Sequence, residues 1–237
     1  MTSKQSAVLI TGAGSGIGRE LALKLNDSGK FVILAGRREE KLLETKERLA
    51  NKENSEIFTL DLQNTTAIEN FADAVSDKFF VSTLINNAGA TVFKTVADTI
   101  EKEVEEIIGG NLTGTILLTK HFLPAMIKKR KGKIINILSV AANTVFTRSG
   151  IYSASKAGLL AFANVVREEI REFNVSVTNV LPGATSTPIW GKDALDKYSD
   201  LMMQPSDVAE IIISSTFNKS SAVVEELVVR PITGDIK

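Results

Sequence analysis

The sequence predicts an α/β fold: a doubly wound, seven-stranded parallel sheet with helices on both faces, built as one domain over residues 1–237. Three observations carry this. Short apolar runs rich in β-branched residues alternate with segments of helical periodicity, separated by short links. The first run ends in a glycine-dense turn that opens directly into a helical pattern. No linker, internal repeat or low-complexity tract divides the chain, and 237 residues suffice to bury a core without staples.

Ala7-Val8-Leu9-Ile10-Thr11 reads as the first strand, and Gly12-Ala13-Gly14-Ser15-Gly16-Ile17-Gly18 as the turn. A helix over about 16–28 follows, with Leu21, Ala22 and Leu25 on one face and Gly29 as its stop. Residues 31–35 form a second buried strand. A charged helix then runs from Arg38 to about Lys52, with Leu42, Leu43, Leu49 and Ala50 as its apolar stripe. Residues 56–60 are the third strand, 64–78 the third helix and 81–85 the fourth strand, which enters Asn86-Asn87-Ala88-Gly89. A long helical stretch covers about 99–129. Its Gly109-Gly110 pair costs about 1 kcal/mol per glycine relative to alanine, which predicts a bend or local irregularity beside Asn111. The fifth strand (133–138), a loop (139–150), a helix (152–173) and the sixth strand (175–181) complete the middle of the chain. Pro182-Gly183 opens an irregular segment, 184–205. Ser206-Asp207 supplies a cap and an early acid for one more helix, and 226–230 is the last strand.

Composition narrows the function. Lys+Arg and Asp+Glu both number 28, which argues against general electrostatic binding to nucleic acid. There is no cysteine and only one histidine, so no thiol chemistry and no metal site is expected. His121 lies on the long helix and reads as a packing or capping residue. The first six residues are polar, and no apolar run approaches the roughly eighteen that a membrane helix needs. A cytoplasmic protein without membrane or nucleic-acid partners is the expectation.

In doubly wound sheets ligands sit beyond the carboxyl ends of the strands. Gly12, Gly36, Asp61, Asn86, Ser139 and Pro182 follow strand ends and should converge on one crevice. The glycine turn suits a phosphate, because free N–H groups of a new helix point outward there. Its pattern is T-G-x-x-x-G-x-G rather than G-x-G-x-x-G, and a structural turn alone reads similarly. Tyr152 and Lys156 lie one helical turn apart and share a face. A neighbouring ammonium favours the phenolate and moves a phenol toward the working range of an acid–base catalyst. A surface helix with an aromatic anchor and a solvated lysine has the same spacing. Ser139 follows an apolar strand on the crevice side, where its hydroxyl can meet a carbonyl oxygen or satisfy its own turn. Asn111 either holds a water near Lys156 or marks a helix break.

These stretches, taken together, resemble the short-chain dehydrogenase/reductase family. Residues 11–18, Asn86-Asn87-Ala88-Gly89, Asn111, Ser139, Tyr152-x-x-x-Lys156 and Pro182-Gly183 with Thr187 stand in that family's order and at about its spacings. The resemblance implies a single-domain Rossmann fold in which hydride passes directly between a nicotinamide and a carbonyl or secondary alcohol, without a metal. It gives Tyr152 the role of general acid and base. Lys156 tunes it and bonds the nicotinamide ribose, Ser139 holds the carbonyl oxygen, and Asn111 positions a water. Cofactor contacts are implied at Gly12, Ser15, Gly16, Ile17 and Gly18. Others are implied for Asp61 and Leu62 at the adenine, and for Asn87, Ala88 and Gly89 near its ribose. Pro182, Gly183, Thr185 and Thr187 are implied at the nicotinamide end.

An acid at the end of the second strand would select NAD by binding the ribose hydroxyl. This chain has Gly36 there, followed by Arg37-Arg38, whose guanidinium groups favour a 2′-phosphate. NADP(H) is therefore the predicted cofactor. Glu39 and Glu40 read as first-turn helix acids. By the resemblance, 184–205 covers the substrate. Its Pro188, Ile189, Trp190, Leu195, Tyr198, Leu201, Met202 and Met203 suggest a pocket for a partly hydrophobic carbonyl compound, with Phe93, Asn143 and Phe146 as further wall candidates. The same apolar residues also suit a loop packed on its own domain. The basic run 128–133 fits a helix C-terminus, or docking of an acyl carrier protein aided by Arg171. The ending Arg230-Pro231-Ile232-Thr233-Gly234-Asp235 departs from carrier-protein reductases and resembles 3-hydroxy acid dehydrogenases and general carbonyl reductases. A 3-oxoacyl carrier-protein reductase and a non-catalytic NADP(H)-binding regulator are the alternatives. A homodimer or homotetramer is expected by analogy.

Overall fold

The computed structural model describes residues 4–217 and 221–236. Seven strands form one parallel sheet: β1 (Gln5–Thr11), β2 (Val32–Gly36), β3 (Ser55–Thr59), β4 (Phe79–Asn86), β5 (Gly132–Ile137), β6 (Val175–Pro182) and β7 (Glu226–Val229). Their spatial order is β3-β2-β1-β4-β5-β6-β7, and every neighbouring pair is parallel. The order reverses direction between β1 and β4, and that junction opens a crevice at the carboxyl ends of the strands.

Alternation along β1 shows why helices are needed on both faces. Leu9 joins a core with Ile68, Phe71 and Val75 of α3 (Thr65–Lys78), Leu118 and Phe122 of α5 (Thr115–Lys129), and Ala163 and Val166 of α6 (Gly150–Ile170). Val8 and Ile10 point the other way, toward Leu21 and Leu25 of α1 (Gly16–Asp27), Leu42 of α2 (Glu39–Glu47), and Val208 and Ile212 of α8 (Pro205–Thr216). A strand buried on both sides has no polar face, which is why these runs read as continuously apolar.

Several boundaries differ from expectation. The second helix stops at Glu47, and a short 3-10 turn covers Lys52–Asn54; Leu42 is buried, whereas Leu43 of the expected stripe is 48% exposed. The last helix begins at Pro205 with Gln204 as its cap, not at Ser206-Asp207. Proline fits the first helical position because its missing N–H has no intrahelical partner there, which outweighs the side-chain cap that Ser206 offers. The segment 184–205 also contains a short helix, α7 (Lys192–Tyr198). The long helical stretch does carry its irregularity: α4 (Glu101–Ile108) passes through a π-type turn at Gly109–Gly114 into α5.

Gly114 ends that turn against the chain after β3. A Cβ there would lie 1.9 Å from the Leu62 carbonyl oxygen, so the two backbones touch only because the residue is glycine. Gly114→Ala is expected to cost about 3 kcal/mol and lower the melting temperature by about 6–12 °C. Thermal unfolding followed by circular dichroism checks this, and an unchanged midpoint would mean the two segments separate freely.

A row of buried asparagines fixes the strands that carry the site. Asn86 donates to Asn136 at 2.9 Å, Asn136 to Asn179 at 3.0 Å, and Asn179 to Asn164 of α6 at 3.0 Å. These bonds join β4, β5 and β6 in one register, and a slip by one residue would break all of them.

Candidate active site

The glycine turn is a compact bracket. Gly12 and Gly16 have φ of 67° and 54°, a region that side-chain-bearing residues rarely adopt. The Thr11 hydroxyl oxygen accepts from the N–H groups of Asn87 and Ala88, both at 3.0 Å, and the Asn87 amide donates back to the Thr11 carbonyl at 2.9 Å. Thus β1 and β4 are joined at the crevice by side chains as well as by the sheet. From below, Thr45 of α2 donates to the Ala13 carbonyl at 3.0 Å, and Arg19 donates to the Gly14 carbonyl and to Thr45. Ser15 precedes α1 in extended conformation without a side-chain cap bond, which leaves the helix's first N–H groups facing the crevice.

Gly12, Ser15, Gly16 and Ile17 line a cavity of about 1230 Å³ beyond the strand ends. Gly18 does not line it, contrary to the expected role. A Cβ on Gly18 would lie 2.4 Å from the Asn87 amide nitrogen and 2.5 Å from the Gly12 carbonyl oxygen, so this glycine serves close packing behind the turn. Asp61, Leu62, Asn87, Ala88 and Gly89 do line the wall. So do Arg37 and Arg38, both exposed and, among the described residues, without an ion pair. Glu39 and Glu40 occupy the first turn of α2 as expected. Lys41 joins the arginines on the wall, a cation that the sequence reading passed over. Its position three and four residues beyond the arginine pair, on the helix they open, was the available signal.

The four residues proposed for chemistry meet on the same cavity. Ser139 sits just past β5 and accepts from the N–H of Ala141 at 3.1 Å, so it satisfies its own turn while lining the wall. Tyr152 and Lys156 share the first turns of α6. Burial pushes the Tyr152 phenol above its usual value, and a hydrogen bond with Ser139 offsets part of that rise. The expected lowering by the ammonium is not found. Lys156 Nζ donates instead to the Ile137 carbonyl at 2.9 Å and stands 5.8 Å from the centre of the tyrosine ring. Burial holds Lys156 down at about 8.

Asn111 uses its whole amide as a brace: its oxygen accepts from Ala90 N–H at 2.8 Å, and its nitrogen donates to the Ala90 carbonyl at 2.8 Å and to Ser155 at 3.1 Å. Ser155 in turn donates to the Tyr152 carbonyl at 2.7 Å. The π-type turn therefore orients the tyrosine-bearing helix. Gly89 fits between the two side chains, since a Cβ there would meet Lys156 Nζ at 3.5 Å and the Asn111 oxygen at 3.6 Å.

Among the described residues Lys156 has no anionic partner, and a buried ammonium of that kind costs stability wherever it stays charged. The native lysine sheds its proton near 8, while the unfolded one keeps it to about 10.5. Over that window the unfolded chain binds more protons, so stability rises with pH and the penalty is full below it. Lys156→Met is expected to raise the melting temperature of the cofactor-free protein at pH 7 by several degrees and to flatten its rise between pH 8 and 10. A melting temperature lowered at pH 7 would contradict this.

Residues 6–197 match the model of the short chain dehydrogenase family. The chain belongs to the short-chain dehydrogenase family. A sepiapterin reductase from Chlorobaculum tepidum is 33% identical over 97% of this chain and 98% of its own length. A closed form of serine dehydrogenase complexed with NADP+ superimposes with a TM-score of 0.89 at 29% identity, covering 97% of this chain and 96% of that one. A metagenomic short-chain oxidoreductase in complex with NADP gives 0.80 at 31% identity, with 97% of each chain covered.

Pro182, Gly183, Thr185 and Thr187 also line this dehydrogenase's cavity, and a Cβ on Gly16 would lie 2.9 Å from Thr187 Cγ2, so this segment stands against the glycine bracket. Pro188, Ile189, Trp190, Phe93 and Phe146 line it too. Asn143 does not, nor do Leu195, Tyr198, Leu201, Met202 and Met203. Met202 is buried and Met203 packs toward the α1–α8 core, whereas Leu201 is 46% exposed. Residues 233–236, for which no local pattern signals a site, also reach the wall, held by an ion pair between Arg230 and Asp235 and a bond from Arg230 to Thr144 at 3.2 Å.

Three cations of the basic run have partners, as does Arg171. Lys129 lies over Phe80, Arg130 donates to the Glu172 carbonyl, Lys133 donates to the Thr216 carbonyl, and Arg171 is paired with Glu168 and Glu225. His121 is exposed rather than packed. Among the described residues no helix is long and apolar enough to cross a membrane.

Proposed function

We propose that this short-chain dehydrogenase is an NADP(H)-dependent oxidoreductase that interconverts a carbonyl compound and a secondary alcohol, with Tyr152 as general acid and base. The observation that carries the reading is the meeting of Ser139, Tyr152 and Lys156 with the glycine bracket and two exposed arginines on one cavity. At about 1230 Å³ the cavity exceeds the roughly 300–1,000 Å³ of a single small-molecule pocket, room for a dinucleotide and a substrate together. The bracket fits a pyrophosphate because Gly12 and Gly16 leave backbone N–H groups uncovered, and Arg37 and Arg38 fit a 2′-phosphate. Two matched structures hold NADP, which supports the choice.

The nicotinamide, when bound, supplies the hydride in reduction and accepts it in oxidation. The residues of this chain manage the proton and the developing charge. A phenol held above its usual value stays protonated at neutral pH, so Tyr152 stands ready to donate to a carbonyl oxygen. Ser139, hydrogen-bonded to that phenol, donates to the same oxygen as negative charge grows there, an interaction stronger in the transition state than in the ground state. After donation the buried Lys156 ammonium is the nearby positive charge that stabilises the phenolate. Asn111 acts through Ser155 and Ala90 as a positioning residue.

The direction of the tyrosine shift sets the pH dependence. Alcohol oxidation needs the phenolate and is expected to rise steadily with pH on the alkaline side, while carbonyl reduction holds at neutral pH and falls as the phenol ionises. Initial rates in both directions from pH 6 to 10 check this, and parallel profiles would contradict it. The reading itself is tested by NADPH oxidation over a panel of ketones, aldehydes and 3-oxo acids. Bound NADPH with no turnover across the panel would favour a non-catalytic regulator. Docking of an acyl carrier protein would draw on a basic run in which Lys129, Arg130 and Lys133 already have partners, and on an Arg171 already paired with Glu168 and Glu225. Assembly as a homodimer or homotetramer belongs to the same proposal and is read by light scattering.

A further inference from the structure

Two aromatic rings meet at the substrate end of the cavity. Phe93 lies in the irregular chain between β4 and α4, and Trp190 in the 3-10 turn Pro188–Trp190 after β6. Their rings stack with centroids 5.2 Å apart and planes 19° from parallel. Both residues line the cavity, and Phe93 remains 39% exposed, which puts the pair at the opening rather than in the core.

The stack joins two segments that nothing polar connects. Among the described residues no hydrogen bond or ion pair links the loop around Phe93 to 184–205. Lys94 is tied to Glu103 on α4, the Phe93 carbonyl faces Arg148, and the Trp190 N–H returns to the Thr187 carbonyl. Aromatic stacks of this kind bias an equilibrium by about twofold to tenfold, enough to favour contact without locking it. Gly191, directly after the tryptophan, has φ of 75° and open space where a Cβ would stand, so the chain beside Trp190 has room to turn.

We propose that Phe93 and Trp190 form a gate across the mouth, and that the strength of their contact sets the size of the carbonyl compound that reaches Tyr152. The proposal rests on the oxidoreductase reading for its substrate. Two fixed wall residues would each shape the pocket alone. A gate depends on both rings together, so removing either opens it and removing the second adds nothing.

Trp190 is the single tryptophan of the chain, which allows a readout besides activity. In Phe93→Ala, acrylamide quenching of Trp190 fluorescence is expected to rise about twofold or more. The ratio of kcat/KM for an aryl ketone to that for a four-carbon ketone is expected to rise about fivefold in Phe93→Ala and in Trp190→Ala. The double variant should show the same rise as either single one, and Trp190→Phe should stay near wild type. Unchanged quenching, an unchanged ratio, or gains that multiply in the double variant each overturn the gate. Phe93→Leu, which keeps apolar volume without a ring face, takes the place of alanine if that variant does not fold. A wild type that binds NADPH but turns over no carbonyl sinks the oxidoreductase reading and the substrate gate with it; an active wild type whose ratio stays fixed sinks the gate alone.

Discussion

Tyr152→Phe is expected to lower kcat for carbonyl reduction by about 10²–10⁴ while NADPH affinity changes less than about twofold. The variant removes one oxygen and keeps the ring, so the packing of Lys156 Nζ at 5.8 Å from its centre survives. What disappears is the only hydroxyl in this set whose proton is held by burial until a carbonyl oxygen arrives. Ser139→Ala should cost about 10²–10³, as loss of one donor to a developing oxyanion does, and the two losses should be far from additive because both act on one oxygen. Fluorescence titration with NADPH beside steady-state rates separates the outcomes. A Tyr152→Phe protein that retains more than a tenth of wild-type kcat would remove the tyrosine from the chemistry. A proportional loss of NADPH binding would reduce it to a structural residue.

How much of this was legible beforehand depends on the range of the interaction. Strand and helix types follow from local periodicity. Leu9 and its neighbours Val8 and Ile10 had to face opposite cores because β-strand side chains alternate. The convergence of Gly12, Ser139 and Pro182 followed from the rule for parallel sheets, without knowledge of any contact. Interactions set by tertiary neighbours were not legible. Gly18 looked like part of a phosphate turn, but its role comes from Asn87, many residues away in sequence. Tyr152 and Lys156 are correctly placed one turn apart, yet spacing says nothing about the Ile137 carbonyl that draws the ammonium away or about the burial that raises the phenol. The tail at 233–236 reaches the cavity through the Arg230–Asp235 pair, which is a matter of how the chain ends in space.

Replacing Arg37 and Arg38 together by alanine is expected to raise KM for NADPH by about 10- to 100-fold and to change KM for NADH less than about twofold. Both guanidinium groups stand exposed on the cavity wall, and among the described residues neither is spent on an internal ion pair. Exposure also means screening, so the preference for NADPH should shrink as ionic strength rises from 0.05 to 0.5 M, a dependence that a purely steric pocket would lack. Lys41 lies on the same wall but is bonded to Glu44 at 2.6 Å, so Lys41→Ala alone should cost less than either arginine. The reciprocal change is Gly36→Asp at the end of β2, where a Cβ would sit 3.4 Å from Leu42 Cδ2, in van der Waals contact. Its carboxylate would accept the ribose hydroxyls of NADH and repel a 2′-phosphate. In an Arg37→Ala, Arg38→Ala background it should invert the preference. If instead both cofactors weaken equally in the arginine variants, the phosphate is not read at this end of the sheet, and the selection of NADP(H) must lie elsewhere in the cavity.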